Sequence, residues 1–260
     1  MEISTFNFAI GLTLIAGLAT GIGSVIALLA KRINKKFLTY SMGLSAGVMI
    51  YVSFMELMPE SVNMFAETRE GLMPKVFMLL SFFAGIIIIA IIDKLVPEDE
   101  NPHEIHDKPD NIKLKRTGIM MALAIGIHNF PEGMAVFATA ATHADIAIPV
   151  MIAIAIHNIP EGIAVSAPIY HATGDRKKAF VYSFLSGLSE PIGALLGVFI
   201  LDSFWTPEIN AFLLAFVSGI MIYISFDELL PSTESYGFHH LGLLGIISGL
   251  FLMAGSLLFL

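Results

Sequence analysis

Eight long apolar stretches are the strongest constraint on how this chain can fold. A transmembrane helix needs roughly 20 mostly apolar residues, and each stretch reaches about that length. We therefore predict an all-α membrane protein with eight transmembrane helices, built as a single domain over residues 1–260. The predicted spans are 7–30, 39–59, 75–96, 117–141, 146–169, 178–202, 210–231 and 242–260.

The composition excludes several other classes of protein. Only 14% of the residues are charged and the net charge is −8, whereas nucleic-acid binding requires a basic face. The absence of cysteine excludes disulfides and thiolate metal sites. The chain has no Gly-Lys-Ser/Thr sequence of the kind that binds ATP phosphates, and we expect no prosthetic group. Its first residues carry no positive charge, so span 7–30 is predicted to be a true helix rather than a cleaved signal.

The basic residues predict the orientation of the helices, because Lys and Arg concentrate in cytoplasmic loops. All of them except Arg69 and Lys75 lie in the connections between spans 1 and 2, 3 and 4, and 5 and 6. In an eight-span protein these connections share one side of the membrane. We therefore expect both termini to lie outside the cell.

An internal repeat gives the predicted arrangement of the spans. Residues 47–59 and 219–231 are identical at nine of thirteen positions, and residues 17–23 resemble residues 187–193 at nearly the same offset. Spans 1–3 therefore match spans 6–8, and the two copies, being five crossings apart, run in opposite directions. This predicts a 3+2+3 inverted repeat around spans 4 and 5, an architecture typical of secondary transporters.

A duplicated polar motif occupies these two central spans. The sequence His-Asn-Phe-Pro-Glu-Gly at residues 128–133 recurs as His-Asn-Ile-Pro-Glu-Gly at residues 157–162. The His and Glu of each copy share a helix face, and the antiparallel helices bring Glu132 level with His157 and Glu161 level with His128. Imidazole with carboxylate suits Zn²⁺, Fe²⁺, Mn²⁺ or Co²⁺.

The alternative is that these polar residues only join helices. That would place two carboxylates at the bilayer centre at a cost of about 5–7 kcal/mol, which a bound dication would offset. Glu190 is a third carboxylate within a span, and its counterpart in the repeat is Thr20. Two ions sharing Glu132 and Glu161 would fit the candidate ligands, which are His128, Asn129, Glu132, His157, Asn158, Glu161 and Glu190.

Other polar residues leave two readings open. The connection 97–116 is predicted to be a cytoplasmic linker, and its His103 and His106 are either simply solvated or a weak metal-collecting pair. The repeat places Glu56 and Glu228 near opposite faces of the membrane. They either form hydrogen bonds at helix ends or mark the entry and exit of an ion. Asp227 has the same two readings. We assign no role to His143, His171, His239 or His240.

The chain resembles the ZIP metal transporters, most closely their bacterial ZupT-like branch, over all eight spans. The resemblance depends on the two hexapeptides and on Ser-Gly-Leu-Ser-Glu-Pro at residues 186–191. It implies an importer of divalent metal in the cell (inner) membrane, often dimeric, in which spans 1, 4, 5 and 6 move against the others. It also implies one ion at His128, Glu132, His157 and Glu161, and a second at Asn129, Glu132, Asn158, Glu161 and Glu190.

We therefore predict a secondary transporter of Zn²⁺, with Fe²⁺, Mn²⁺, Co²⁺ or Cd²⁺ as further substrates. One alternative is an intramembrane zinc hydrolase, which needs an open water position and a general base. That reading leaves the repeat unexplained, and the sequence has no His-Glu-x-x-His. The other alternative is a divalent-cation channel that uses the same ligands.

Overall fold

The computed structural model describes residues 2–29, 34–95, 110–142, 144–201 and 206–258, and every regular element in these ranges is helical. Seven continuous helical segments are long and apolar enough to cross a membrane. An eighth helix covers the predicted fourth span, so the prediction of an all-α membrane protein is confirmed. The helices are α1 (Ile3–Leu29), α2 (Lys35–Val52), α3 (Met58–Ala66), α4 (Met73–Leu95), α5 (Asp110–Thr142), α6 (Ala144–Thr173), α7 (Arg176–Leu201), α8 (Pro207–Ile224), α9 (Leu230–Ser235) and α10 (His239–Leu258).

Two π-helical turns lengthen the second and seventh spans. Ser53–Leu57 joins α2 to α3, and Ser225–Leu229 joins α8 to α9. Each turn is followed after one residue by a proline, at Pro59 and Pro231. In an α-helix a proline ring collides with the carbonyl four residues earlier, and the wider π turn displaces that carbonyl. Each of these two helical spans therefore continues past its proline and beyond its predicted end.

The helix α5 begins at Asp110, inside the segment 97–116 that was predicted to be a linker. That prediction was wrong for the last residues of the segment. Acidic residues such as Asp110 are favourable at the start of a helix. Residues 96–109, which include His103 and His106, lie outside the described residues, as does His143.

Glycines bring four helices into backbone contact. A Cβ atom at Gly23 of α1 would overlap the carbonyl oxygen of Ile159 in α6, and one at Gly193 of α7 would overlap that of Phe130 in α5. Likewise, Gly162 lies against the carbonyl of Thr20, and Gly133 against that of Glu190. Small residues permit this close approach between helices in membranes. We call α1, α5, α6 and α7 the central group.

The remaining helices form a peripheral group with its own close contacts. Gly47 of α2 lies against Ile246 of α10, and Gly85 of α4 lies against Phe216 of α8. Within the described residues, no glycine makes such a contact between the two groups. The interface between them is instead filled at one end by a buried cluster rich in methionine. Its methionines are Met42, Met49, Met121, Met221 and Met253.

Candidate metal centre

The two hexapeptides meet where α5 crosses α6. His128, Asn129, His157, Asn158 and Glu161 are fully buried, and Glu132 is 3% exposed. The Nε2 atom of His128 lies 3.0 Å from Oε1 of Glu161, and Nε2 of His157 lies 2.9 Å from Oε1 of Glu132. This is the crosswise pairing that the antiparallel register predicts.

The two asparagines are oriented by helices outside the motif. The amide Nδ2 of Asn129 donates to the carbonyl of Ser186 in α7 over 3.3 Å, and that of Asn158 donates to the carbonyl of Ala16 in α1 over 2.9 Å. Asn158 also donates to the carboxylate of Glu190, which is fully buried. One amide hydrogen of Asn129 and both of Asn158 are thereby used, and the Oδ1 atom of each asparagine remains without a hydrogen-bond partner among the described residues.

Buried electron-pair donors without partners are concentrated at this crossing. A buried polar group without a hydrogen bond costs about 1–3 kcal/mol, so most native proteins have few of them. Every candidate ligand contributes at least one such atom, and the Oγ atoms of Thr20 and Ser24 on α1 add two more. Among the described residues, the ligand atoms without any partner are Nδ1 of His128 and of His157, Oδ1 of Asn129 and of Asn158, and Oε2 of Glu132, of Glu161 and of Glu190.

The candidate ligands are gathered in pairs rather than around one point. In the described part of the chain, no three His, Asp or Glu side chains come close enough together to hold an ion. The atoms of the two His–Glu pairs are the same atoms that would coordinate a metal. An ion bound there would exchange the crosswise pairs for metal–ligand bonds.

A cavity of about 400 Å³ extends from Glu132 to the end of the bundle where α5 is followed by α6. It lies between α3, the second half of α5, the first half of α6 and α8. Its lining includes three carboxylates, those of Glu56, Glu60 and Glu132, and no basic residue. We call it the acidic cavity. By the predicted topology it lies at the outer end of the molecule.

The opposite end of the crossing is closed. The sequence repeat relates the residues that line the acidic cavity to a second set of positions. Members of this second set lie in one buried apolar cluster, among them Met42, Met121, Ile125, Ala164 and Val165. A recess between the described residues at that end has a volume of about 30 Å³, and its lining includes Asp93, Tyr223, Asp227 and Glu228. Among the described residues, the acidic cavity is therefore the larger of the two openings, and it reaches the centre at Glu132.

This difference predicts the outcome of cysteine labelling. The chain has no native cysteine, so one introduced thiol gives the whole signal. We expect the thiol of Thr139→Cys, which lines the acidic cavity, to react with a membrane-impermeant reagent added to intact cells. The thiol of Ala164→Cys, whose position is fully buried, should react only after denaturation. Equal labelling of both variants in intact cells would contradict a structure in which the acidic cavity is accessible and Ala164 is buried.

The hydroxyls of Thr20 and Ser24 were not among the predicted site groups. Both residues are fully buried, and their Oγ atoms have no hydrogen-bond partner within the described part of the chain. The available signal was the repeat, which aligns Thr20 with Glu190. Of the histidines without an assigned role, His239 lies far from the centre and pairs with Glu234 at an exposed position, 2.7 Å away.

Comparison with known proteins agrees with this picture. The sequence model of the family described as ZIP zinc transporter matches residues 4–98 and 97–257. The chain is 53% identical to a protein named zinc transporter ZupT from Nitratidesulfovibrio vulgaris, over 96% of each sequence. It is 55% identical to the protein of that name from Streptococcus mutans, over 95% of each. The corresponding protein from Clostridium perfringens is 54% identical over 95% of this chain and 94% of its own.

Proposed function

Because the chain belongs to the ZIP family of zinc transporters, we propose that it imports Zn²⁺ into the cytoplasm through the crossing of α5 and α6. It is a divalent-metal transporter rather than an enzyme, and a multi-pass membrane protein. The hydrolase and channel alternatives have no support. The observation that carries the proposed route is the set of buried, unpartnered donors at the crossing, which the acidic cavity reaches at Glu132.

We further propose the full inverted repeat over a single transport domain, with both termini outside the cell in the inner membrane. The glycine contacts support the repeat, because Gly23 with Ile159 and Gly193 with Phe130 occupy equivalent positions in the two copies. The paired π turns also support it. A homodimer remains part of the proposal. With the cell interior negative, the membrane potential favours entry by about 2.3 kcal/mol per charge per 100 mV.

The ligands divide into two overlapping sets. His128, Glu132, His157 and Glu161 would take one ion, and Asn129, Asn158 and Glu190 would join the shared carboxylates around a second. The amide of Asn129 donates to a backbone carbonyl of α7, and that of Asn158 donates to one of α1. The amide oxygens are therefore left for the ion. Imidazole and carboxylate fit Zn²⁺, and also Fe²⁺, Mn²⁺, Co²⁺ and Cd²⁺.

Transport of ⁶⁵Zn²⁺ into proteoliposomes with a negative interior tests the proposal. We expect saturable uptake that increases with the imposed potential and is reduced by unlabelled Fe²⁺, Mn²⁺, Co²⁺ or Cd²⁺ in proportion to the affinity of each ion. The absence of saturable uptake, or a steady current at channel rates, would contradict a carrier of divalent metal.

The second ion can be tested by stoichiometry. We expect the purified protein to bind two Zn²⁺ ions per chain, and the Glu190→Gln variant to bind one, because Glu190 belongs only to the second set. Equilibrium dialysis followed by metal analysis gives the numbers. The control is Glu234→Gln, which removes an acidic group at an exposed position. One ion in the wild-type protein, or two in Glu190→Gln, would exclude this division of the ligands.

A further inference from the structure

Glu56 lies in the wall of the acidic cavity and is not among the candidate ligands. It belongs to the π turn Ser53–Leu57, and a π turn inside an α-helix is rare and frequently marks a functional site. The Oε2 atom of Glu56 is buried and has no hydrogen-bond partner among the described residues. Neighbouring Glu60 lines the same wall, and the amide of Asn63 donates to its Oε2 over 3.3 Å.

A second observation indicates that this cavity takes a cation. Glu132 lines it too and is only 3% exposed; its Oε1 atom pairs with His157, and its Oε2 atom has no hydrogen-bond partner among the described residues. The lining of the cavity includes three carboxylates and no basic residue. A cleft lined by one sign of charge concentrates ions of the opposite sign.

The size of the cavity fits a hydrated ion. Six water molecules occupy roughly 180 Å³, and the cavity holds about 400 Å³. The recess beside Glu228, the counterpart of Glu56 in the repeat, holds only about 30 Å³. A hydrated ion can therefore approach Glu56 but not Glu228 in this conformation.

We propose that Glu56, supported by Glu60, forms an outer capture site that holds a hydrated divalent cation before the ion loses water to Glu132. This inference depends on the proposed direction and route of transport. Glu56 lies on the peripheral group and Glu132 on the central group, so the ion passes from one group to the other as it enters. Capture raises the local concentration of the ion and does not require Glu56 to follow it to the centre.

The test is the concentration dependence of initial ⁶⁵Zn²⁺ uptake by the full-length protein in proteoliposomes. We expect Glu56→Gln to raise KM by about tenfold, at the low end of the effect of charge-lined clefts, while the maximal rate changes less than about twofold. Glu56→Asp should restore most of the loss. The matched control is Glu67→Gln, an exposed acid at the end of α3 that is outside the cavity, and its KM should equal that of the wild type.

The outcomes separate this inference from the proposed function. An unchanged KM in Glu56→Gln, or a lost maximal rate with normal KM, would overturn the capture site even if a central-ligand variant is inactive. If Glu56→Gln does not fold, Glu56→Asp decides in its place, and the inference fails if that variant loses maximal rate rather than affinity. Normal transport by a variant of Glu161 would overturn the central route, whatever Glu56 does.

Discussion

Replacement of Glu161 with alanine should reduce zinc uptake by about 150- to 5,000-fold, which corresponds to the roughly 3–5 kcal/mol lost when one member of a buried charge pair is removed. Glu161 is fully buried, lies 3.0 Å from His128, and belongs to both proposed ligand sets. Its loss therefore affects both ions and leaves one imidazole without its acceptor.

Initial rates of ⁶⁵Zn²⁺ uptake measure this effect, and raising the zinc concentration should not restore it. The control is Glu67→Ala, which removes an exposed acid and should transport normally. A second readout separates ligand loss from misfolding. We expect Zn²⁺ to raise the thermal unfolding temperature of the wild type and of Glu67→Ala but not that of Glu161→Ala. Uptake by Glu161→Ala at the wild-type rate would remove the proposed centre.

The second large effect is expected from a single methyl group. Gly23→Ala places its Cβ within the carbonyl group of Ile159, and backbone cannot move aside as a flexible side chain can. Overpacking of this kind costs about 1–3 kcal/mol, and occasionally more. Gly11→Ala, in the same helix, has no atom within 4 Å of the new Cβ and should be neutral or stabilising by up to about 1 kcal/mol.

Thermal unfolding of the purified variants in detergent compares the two. We also expect Gly193→Ala to match Gly23→Ala, because its Cβ meets the carbonyl of Phe130 in the equivalent contact. A Gly23→Ala protein as stable as the wild type would show that α1 and α6 can separate without loss. A harmful Gly23→Ala beside a harmless Gly193→Ala would contradict the equivalence of the two contacts.

Hydropathy and the repeat were sufficient to predict the helical spans and the crosswise pairs at the centre. The pairs follow from two motifs, identical at five of six positions, on consecutive antiparallel helices, so no knowledge of other elements was needed. The π turns were not predicted, because Ser-Phe-Met-Glu-Leu at 53–57 has no local signal that separates a π turn from an α-helix. The start of α5 was missed because the polar residues before span 4 were read as a linker.

The orientation of the asparagines and the one-sided cavity could not be predicted from the motif. Asn129 and Asn158 are oriented by the carbonyls of Ser186 and Ala16, which are distant in sequence. A repeated sequence predicts equal space at its two ends. The structure has the acidic cavity at one end and the packed methionine cluster at the other. That difference depends on the relative position of the central and peripheral groups, and the repeat in the sequence does not specify this position.

The distribution of glycine and methionine predicts which relative movement of the helices meets the least resistance. Backbone contacts at Gly23, Gly133, Gly162 and Gly193 make the central group stiff, whereas unbranched thioether side chains yield and repack at little cost. We therefore expect shear between the groups to be the most compliant deformation of the fold. All seven candidate ligands lie in the central group, on α5, α6 and α7, so such a movement would shift the surrounding walls more than the backbone that carries the ligands.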